Sequence, residues 1–236
     1  MFKRAHHQRI AEVLNGLDGA LLKSNRCLFG GGTAIALHHS EYRESVDIDF
    51  LVSDLPSYRN LRQLLTAAGG VATIVRKGHP AFKQIRDVRA DQYGIRTTLS
   101  VADQPIKLEI VLEGRIELEI PRAEDEICGI ATLTPLDMAT SKLLANSDRW
   151  GDDGAFNRDL IDLAMMKPKH ALLQQAISKA EGPYGQSIRN DLGRAIQRLQ
   201  ERQGWLDRCM QAMAMTLPKA LVWQHVRALR KGSIEV

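Results

Sequence analysis

Apolar positions in the first 25 residues recur at helical spacing, at Ile10, Val13, Leu14, Leu17 and Leu21. "RCLF" then reads as a short strand, Gly30-Gly31-Gly32 as a turn, and "TAIALHH" as a helix opening at that turn. "SVDIDFLV" is strand-like, and "PSYRNLRQLLTAAGG" is helical, with Pro56 near its start and Gly69-Gly70 at its end. From Val71 to Ile120 the period shortens towards two. "VATIVRKG", "FKQIRDVRAD", "GIRTTLSVA", "IKLEIVLE" and "IELEI" follow one another, separated by turn residues such as "DQYG" and "ADQP". Beyond about Ile120 the spacing is helical throughout. "TPLDMATSKLLANSDRW" has Thr134 as candidate N-cap and Pro135 in its first turn, and "GDDGAF" is a turn. "AFNRDLIDLAMM" is a second helix stopped near Pro168, and three or four more follow, broken at "GPYG", "RQGW" and "TLPK". The pattern predicts an α/β (α+β) protein: strands with flanking helices over residues 1–125, then a helical region over 126–236.

Composition changes this picture little. The 236 residues are 44% hydrophobic and 25% charged, as in an ordinary soluble domain with a real core. No apolar run approaches the roughly 18 residues of a membrane helix. The first residues are amphipathic and lack a signal peptide's apolar centre, so a cytoplasmic location without membrane attachment is expected. Cys27, Cys128 and Cys209 are far apart and suggest no metal or disulfide framework. The histidine pairs His6-His7 and His38-His39 have adjacent residues pointing in different directions on a helix. Net charge is +4, and it is concentrated late, with nine Lys/Arg against three Asp/Glu between Pro183 and Gly232.

The chemistry is concentrated in residues 30–50. Strand side chains alternate, so Asp47 and Asp49 share one face while Val46, Ile48 and Phe50 anchor the other. Two carboxylates about 7 Å apart repel unless something neutralises them. A hard divalent cation, Mg²⁺ or Mn²⁺, does so and commonly sits on one or two carboxylates plus substrate phosphates. Gly30, Gly31 and Gly32 leave the backbone open to a phosphate, the helix that follows offers its N–H groups, and Thr33 adds a hydroxyl. The alternative is a packing turn with two surface aspartates on an edge strand.

The run "GGGTAIAL…YRESVDIDFLV" resembles the DNA polymerase β-like nucleotidyltransferases, whose hallmark is Gly-Gly/Ser followed by Asp-x-Asp/Glu. It is closer still to the AbiEii/AbiGii toxin-type branch, matching at Gly31, Gly32, Thr33, Arg43, Ser45, Asp47, Asp49 and Phe50. The resemblance implies a nucleotidyltransferase fold, a mixed β-sheet with a helical region closing the active-site cleft, and a third carboxylate from a neighbouring strand. Glu109 in "PIKLEIVLEG" is the candidate, ahead of Glu113, Glu117 and Glu119, and it would complete the metal site or activate the attacking hydroxyl. Its bland alternative is a solvated strand acid. Arg43 and Ser45 would stand at the site entrance, with Arg43 on a phosphate; otherwise they stabilise their own loop.

The same resemblance implies an inward lysine on a proline-led helix and a following Arg-Asp pair, here Lys142 and Asp159. Lys142 and Arg149 share a helix face two turns apart, while Leu136, Ala139, Thr140 and Leu143 form a core face. Lys142 is expected to bind the triphosphate, unless it is merely solvated. Asp159 would pair with Lys142, orient it, or accept the acceptor's proton; Asp162 lies on the same face, and Arg158 is a further phosphate candidate. Arg194, Arg198 and Arg202 are spaced by four and form a stripe, which suits a nucleic-acid backbone, an acidic partner protein or plain solvent.

The resulting expectation is a metal-dependent enzyme that moves a nucleoside monophosphate from an NTP to an acceptor hydroxyl and releases pyrophosphate. The resemblance further implies a toxin of a toxin–antitoxin or phage-defence pair, an RNA acceptor such as the 3′ end of tRNA, and a cognate antitoxin. The alternatives are an antibiotic-type small-molecule nucleotidyltransferase and a non-catalytic nucleotide-binding interaction protein.

Overall fold

The computed structural model describes residues 2–233. The chain forms two compact units: residues up to His38 with Ser45–Thr134, and His39–Glu44 with the chain from Pro135 onward.

The first unit opens with two helices, α1 (Ala5–Gly16) and α2 (Gly19–Ser24), where the spacing predicts one. Leu17 turns extended, and the Asp18 carboxylate restarts the helix by accepting from Leu21 N at 2.9 Å. Then come β1 (Leu28–Gly30), α3 (Gly31–His38), β2 (Ile48–Val52) and α4 (Leu55–Thr66). Asp54 caps α4 through Ser57 N at 2.8 Å, and Pro56 sits where its missing N–H costs nothing. β3 (Lys83–Ala90), β4 (Gly94–Val101) and β5 (Gln104–Leu112) complete a five-stranded sheet of order β1-β2-β5-β4-β3. Only β2 and β5 run parallel among these neighbours. Phe29, Phe50, Ile110 and Ile95 lie in register across four strands and are all buried, a row of the core.

Several expectations need correction. β2 starts at Ile48, so Asp47 precedes the strand, and Val46 is 47% exposed rather than an anchor. "VATIVRKG" contributes a 3₁₀ turn, Gly70–Ile74, in which Val71 and Ile74 are buried together with a period of three. "IELEI" forms no strand: Ile116 is buried, Ile120 is 80% exposed, and Leu118 N donates to the Ser53 hydroxyl rather than to a strand carbonyl. The region after Ile120 is not wholly helical, since β6 (Glu126–Ile127) and β7 (Ile130–Ala131) make a hairpin. Its turn residues Cys128 and Gly129 both have positive φ, 52° and 78°, as a type I′ turn requires.

The second unit contains α5 (Pro135–Arg149), α6 (Arg158–Met166), α7 (His170–Tyr184), α8 (Ser187–Glu201), α9 (Trp205–Ala212) and α10 (Lys219–Ser233). α5 packs against α6, α7 and α8 and is therefore buried on nearly every side. Its Lys142 face is covered as well as its Leu143 face, and Leu136, expected in the core, is less buried than either. Asp137, fully buried at the start of α5, is neutralised by Lys179 of α7 at 2.6 Å.

Candidate active site

Gly31 has φ +66°, which favours glycine, and a Cβ placed there would lie 2.4 Å from Asp49 Oδ2. The glycine turn and the carboxylate are thus seated directly against each other. Register extends the arrangement across the sheet: Gly30 is level with Asp49, Asp49 with Glu109, and Glu109 with Arg96. In-register residues point to the same side, so Asp49, Glu109 and Arg96 form a row opposite the Phe29–Phe50 face. The alternation that set Glu109 apart from Leu108 and Ile110 is observed, as both neighbours are buried and Glu109 is not. Arg96 Nε donates to Glu109 Oε1 at 2.6 Å and Nη1 to Asp91 Oδ2 at 3.0 Å. Asp91 is itself held by the Tyr93 and Gly94 amides, whose hydrogen bonds keep its carboxyl below the usual range.

Thr33 and Ser45 serve this row from behind. The Thr33 hydroxyl is 1% exposed, donates to the Asp47 carbonyl at 2.5 Å and meets Ser45 Oγ at 2.7 Å. Ser45 N donates to His7 Nε2 at 3.1 Å. Thr33, expected beside a phosphate, instead fixes the backbone that carries Asp47. Gly31 and Gly32 remain partly exposed. Among the described residues no group of three or more His, Cys, Asp or Glu side chains is gathered as a metal site. The donor set nevertheless fits a divalent cation in its chemistry: Asp49 and Glu109 are hard carboxylates level on adjacent strands, enough for an ion that also takes phosphate oxygens.

A second charged group lies in the helical unit. Asp162 on α6 is fully buried and accepts from Arg43 Nε at 2.7 Å, Arg43 Nη2 at 2.9 Å and the Tyr42 hydroxyl at 2.5 Å. Lys142 Nζ lies 2.7 Å from Asp162 Oδ2 and 3.0 Å from Asp159 Oδ1. Arg149 adds two hydrogen bonds to Asp159, at 2.7 and 3.0 Å. The shared face of Lys142 and Arg149 is real, and so is that of Asp159 and Asp162, but the two faces meet each other. Burial alone would raise both carboxyls, yet Lys142 and Arg149 at Asp159, and Arg43 and Lys142 at Asp162, hold them below the usual carboxylate range. Burial would lower the Lys142 ammonium, and the two aspartates raise it instead. Lys142 is therefore neither solvated nor an open point charge. Arg43 is 6% exposed and spends its fork on Asp162 and the Glu44 carbonyl, so it is not a phosphate contact at an entrance. Arg158 is exposed.

The arginine stripe is largely committed too. Arg198 and Arg202 both bind Asp153 and lie over the Trp205 ring, with guanidinium carbons 5.2 and 4.0 Å from its centroid. Arg194 sits 5.8 Å over Trp150 and pairs with Asp191. Trp205 is buried, donates to Asn157 Oδ1 at 2.6 Å and stacks on Phe156. It thereby braces two consecutive left-handed residues, Phe156 and Asn157, at the entry to α6. The sequence reading missed Arg96 and the Asp162 partners. An arginine on the polar face of a strand and an aspartate one turn after another were the available signals.

A mixed sheet that sets a glycine turn against a strand carboxylate, followed by a helical region, is the architecture of a nucleotidyltransferase. A profile of the family described as nucleotidyl transferase AbiEii toxin, type IV TA system, matches residues 14–228, and the chain belongs to that family. The Helicobacter pylori protein JHP933 is similar in fold, with a TM-score of 0.50 and 16% identity over 98% of this chain and 94% of that one. Another H. pylori crystal structure, described as a candidate nucleotidyltransferase, gives a TM-score of 0.49 and 16% identity over 96% of this chain and 93% of the other. No curated protein sequence matches significantly. Among the described residues no helix is long and apolar enough to cross a membrane.

Proposed function

We propose that this protein transfers a nucleoside monophosphate from an NTP to an acceptor hydroxyl, with an RNA such as the 3′ end of tRNA as acceptor. It acts as the toxin of a toxin–antitoxin pair and has a cognate antitoxin protein as its partner. The observation that carries the reaction is Gly31 seated on the Asp49 carboxylate, with Glu109 level beside it. Family membership supports the reaction class and the partner. Asp49 and Glu109 would hold Mg²⁺ or Mn²⁺, which when bound neutralises triphosphate charge and polarises the reacting phosphate.

The chain's own residues do the rest. Gly31 and Gly32 admit phosphate oxygens to the N–H groups that open α3, with the cation on Asp49 offsetting the charge of that neighbouring carboxylate. The acceptor oxygen bonds to the α-phosphorus while the bond to the departing pyrophosphate breaks, and the hydroxyl proton passes to solvent water. Thr33 and Ser45 hold Asp47 in place. Lys142, Arg43, Asp159 and Asp162 hold the shape of the helical unit, each committed to a buried partner.

The test is incubation with each labelled NTP, Mg²⁺ and total RNA, followed by sizing of the product. A labelled tRNA-sized band that vanishes in Asp49→Asn is expected. Transfer by Asp49→Asn at the wild-type rate would defeat the reading. Label appearing only on small molecules would move the acceptor to the antibiotic type.

A further inference from the structure

Arg96 is placed and provisioned as a ligand-binding group, and nothing above uses it. It lies on the polar face of β4, level with Glu109, which is level with Asp49. Its guanidinium bridges two carboxylates of different character. Asp91 is an anchor, its other oxygen fixed by two backbone amides of the β3–β4 turn. Glu109 is a proposed metal ligand whose Oε1 is given to Arg96 at 2.6 Å. Gly94 makes the room: a Cβ there would come within 3.3 Å of Arg96 Nη2. The Arg96 side chain is 45% exposed, so its remaining N–H groups face solvent rather than packed core.

Arg96 holds Glu109 Oε1, so a cation on the same carboxylate meets the positive charge of the guanidinium beside it. Without nucleotide, Arg96 competes with the metal for Glu109. A triphosphate reverses the balance, because it presents several anionic oxygens that suit a guanidinium fork better than one carboxylate does. The exchange would conserve pairing: Glu109 would hold the metal, the freed face of Arg96 would hold phosphate, and Asp91 would keep the guanidinium on its strand.

Building on the metal-dependent reading above, we propose that Arg96 is a triphosphate-binding residue held in reserve by Glu109, so that nucleotide and metal bind cooperatively. Coupling of this kind is reciprocal, so each ligand tightens the other by the same factor.

The experiment measures Mn²⁺ binding by electron paramagnetic resonance, with and without a non-hydrolysable NTP analogue, in the wild type, Arg96→Gln and Arg96→Lys. In the wild type the analogue should tighten Mn²⁺ by about tenfold. Arg96→Gln should shift the two affinities in opposite directions, with Mn²⁺ alone binding more tightly and the analogue about tenfold more weakly, and the coupling reduced to what the direct metal–phosphate contact supplies. Arg96→Lys should keep part of the coupling. Circular dichroism of each variant confirms that it is folded. Parallel weakening of both ligands in a folded Arg96→Gln, or no change in either, overturns the proposal while leaving the metal site standing. Absence of Mn²⁺ binding in every form, with or without analogue, overturns the metal reading and this proposal together.

Discussion

Two carboxylates are brought side by side in the sheet and two on α6, yet the pairs are treated in opposite ways. Asp159 and Asp162 are buried and surrounded by Lys142, Arg43 and Arg149, so the helical unit neutralises its own charge. Asp49 and Glu109 stand partly exposed beside a glycine turn, with one arginine at the far end of the row. A closed ion-pair network holds a shape, because removing any member strands a partner. A partly exposed acid row beside a helix opening is open to a ligand, and the proposed chemistry rests there. Similar residues thus build a closed scaffold in one unit and an accessible row in the other.

The largest expected effect tests the scaffold half. Asp162→Ala leaves Arg43 and Lys142 without their shared partner in a buried setting and should cost about 3–5 kcal/mol of stability by denaturant titration. Asp49→Asn should do the reverse, abolishing nucleotide transfer with thermal unfolding unchanged or slightly later, since a like-charge repulsion is relieved. If Asp49→Asn unfolds the protein and Asp162→Ala does not, the comparison is inverted and fails.

Next in size is pH. The folded carboxyls of Asp159 and Asp162 lie below their unfolded value of about 3.9, so their stabilisation is complete above that value. It falls as pH drops towards the folded values, by about 1.4 kcal/mol per pH unit for each group, because the unfolded chain then binds more protons. Lys142, raised in the fold, should stabilise below its unfolded value of about 10.4 and lose that contribution as pH climbs through the folded value. Unfolding midpoints across pH 2–5 should slope accordingly in the wild type and flatten in a folded Asp159→Asn variant; equal slopes would remove the network from the account.

Gly31→Ala sharpens the catalytic half. Positive φ costs alanine about 1–2 kcal/mol, and the methyl must displace the Asp49 carboxylate. Transfer should fall about 100-fold for that modest loss of stability, and an active Gly31→Ala would separate the turn from the chemistry. The smallest effect belongs to the stripe. Trp205→Phe leaves Asn157 Oδ1 without its donor and should cost about 2 kcal/mol. Replacing Arg198 and Arg202 together should leave the salt dependence of RNA binding unchanged, because both are committed to Asp153 and Trp205.

Much of this was legible in the chain itself. Local rules sufficed for Asp49 on the strand, for Glu109 facing away from Leu108 and Ile110, and for the shared faces of α5 and α6, whereas the expected turn at Gly30-Gly31-Gly32 is a strand end running straight into α3. Those are periodicities of two and 3.6, set by backbone geometry within one element. The errors were also local in kind: "VATIVRKG" has strand propensity but curls into a 3₁₀ turn, and "IELEI" alternates but gives its Leu118 amide to the Ser53 hydroxyl rather than to a strand carbonyl.

The sequence by itself determined which side chains share a face, and therefore which residues are candidates for chemistry. Only the tertiary structure decided which faces meet. Lys142 reads the same along the helix whether it points to water or to Asp159 and Asp162, and Arg96 gains meaning only from its level beside Glu109. The physical reason is that a charged group's character comes from its partners and its access to water, and those are supplied by segments distant in the chain.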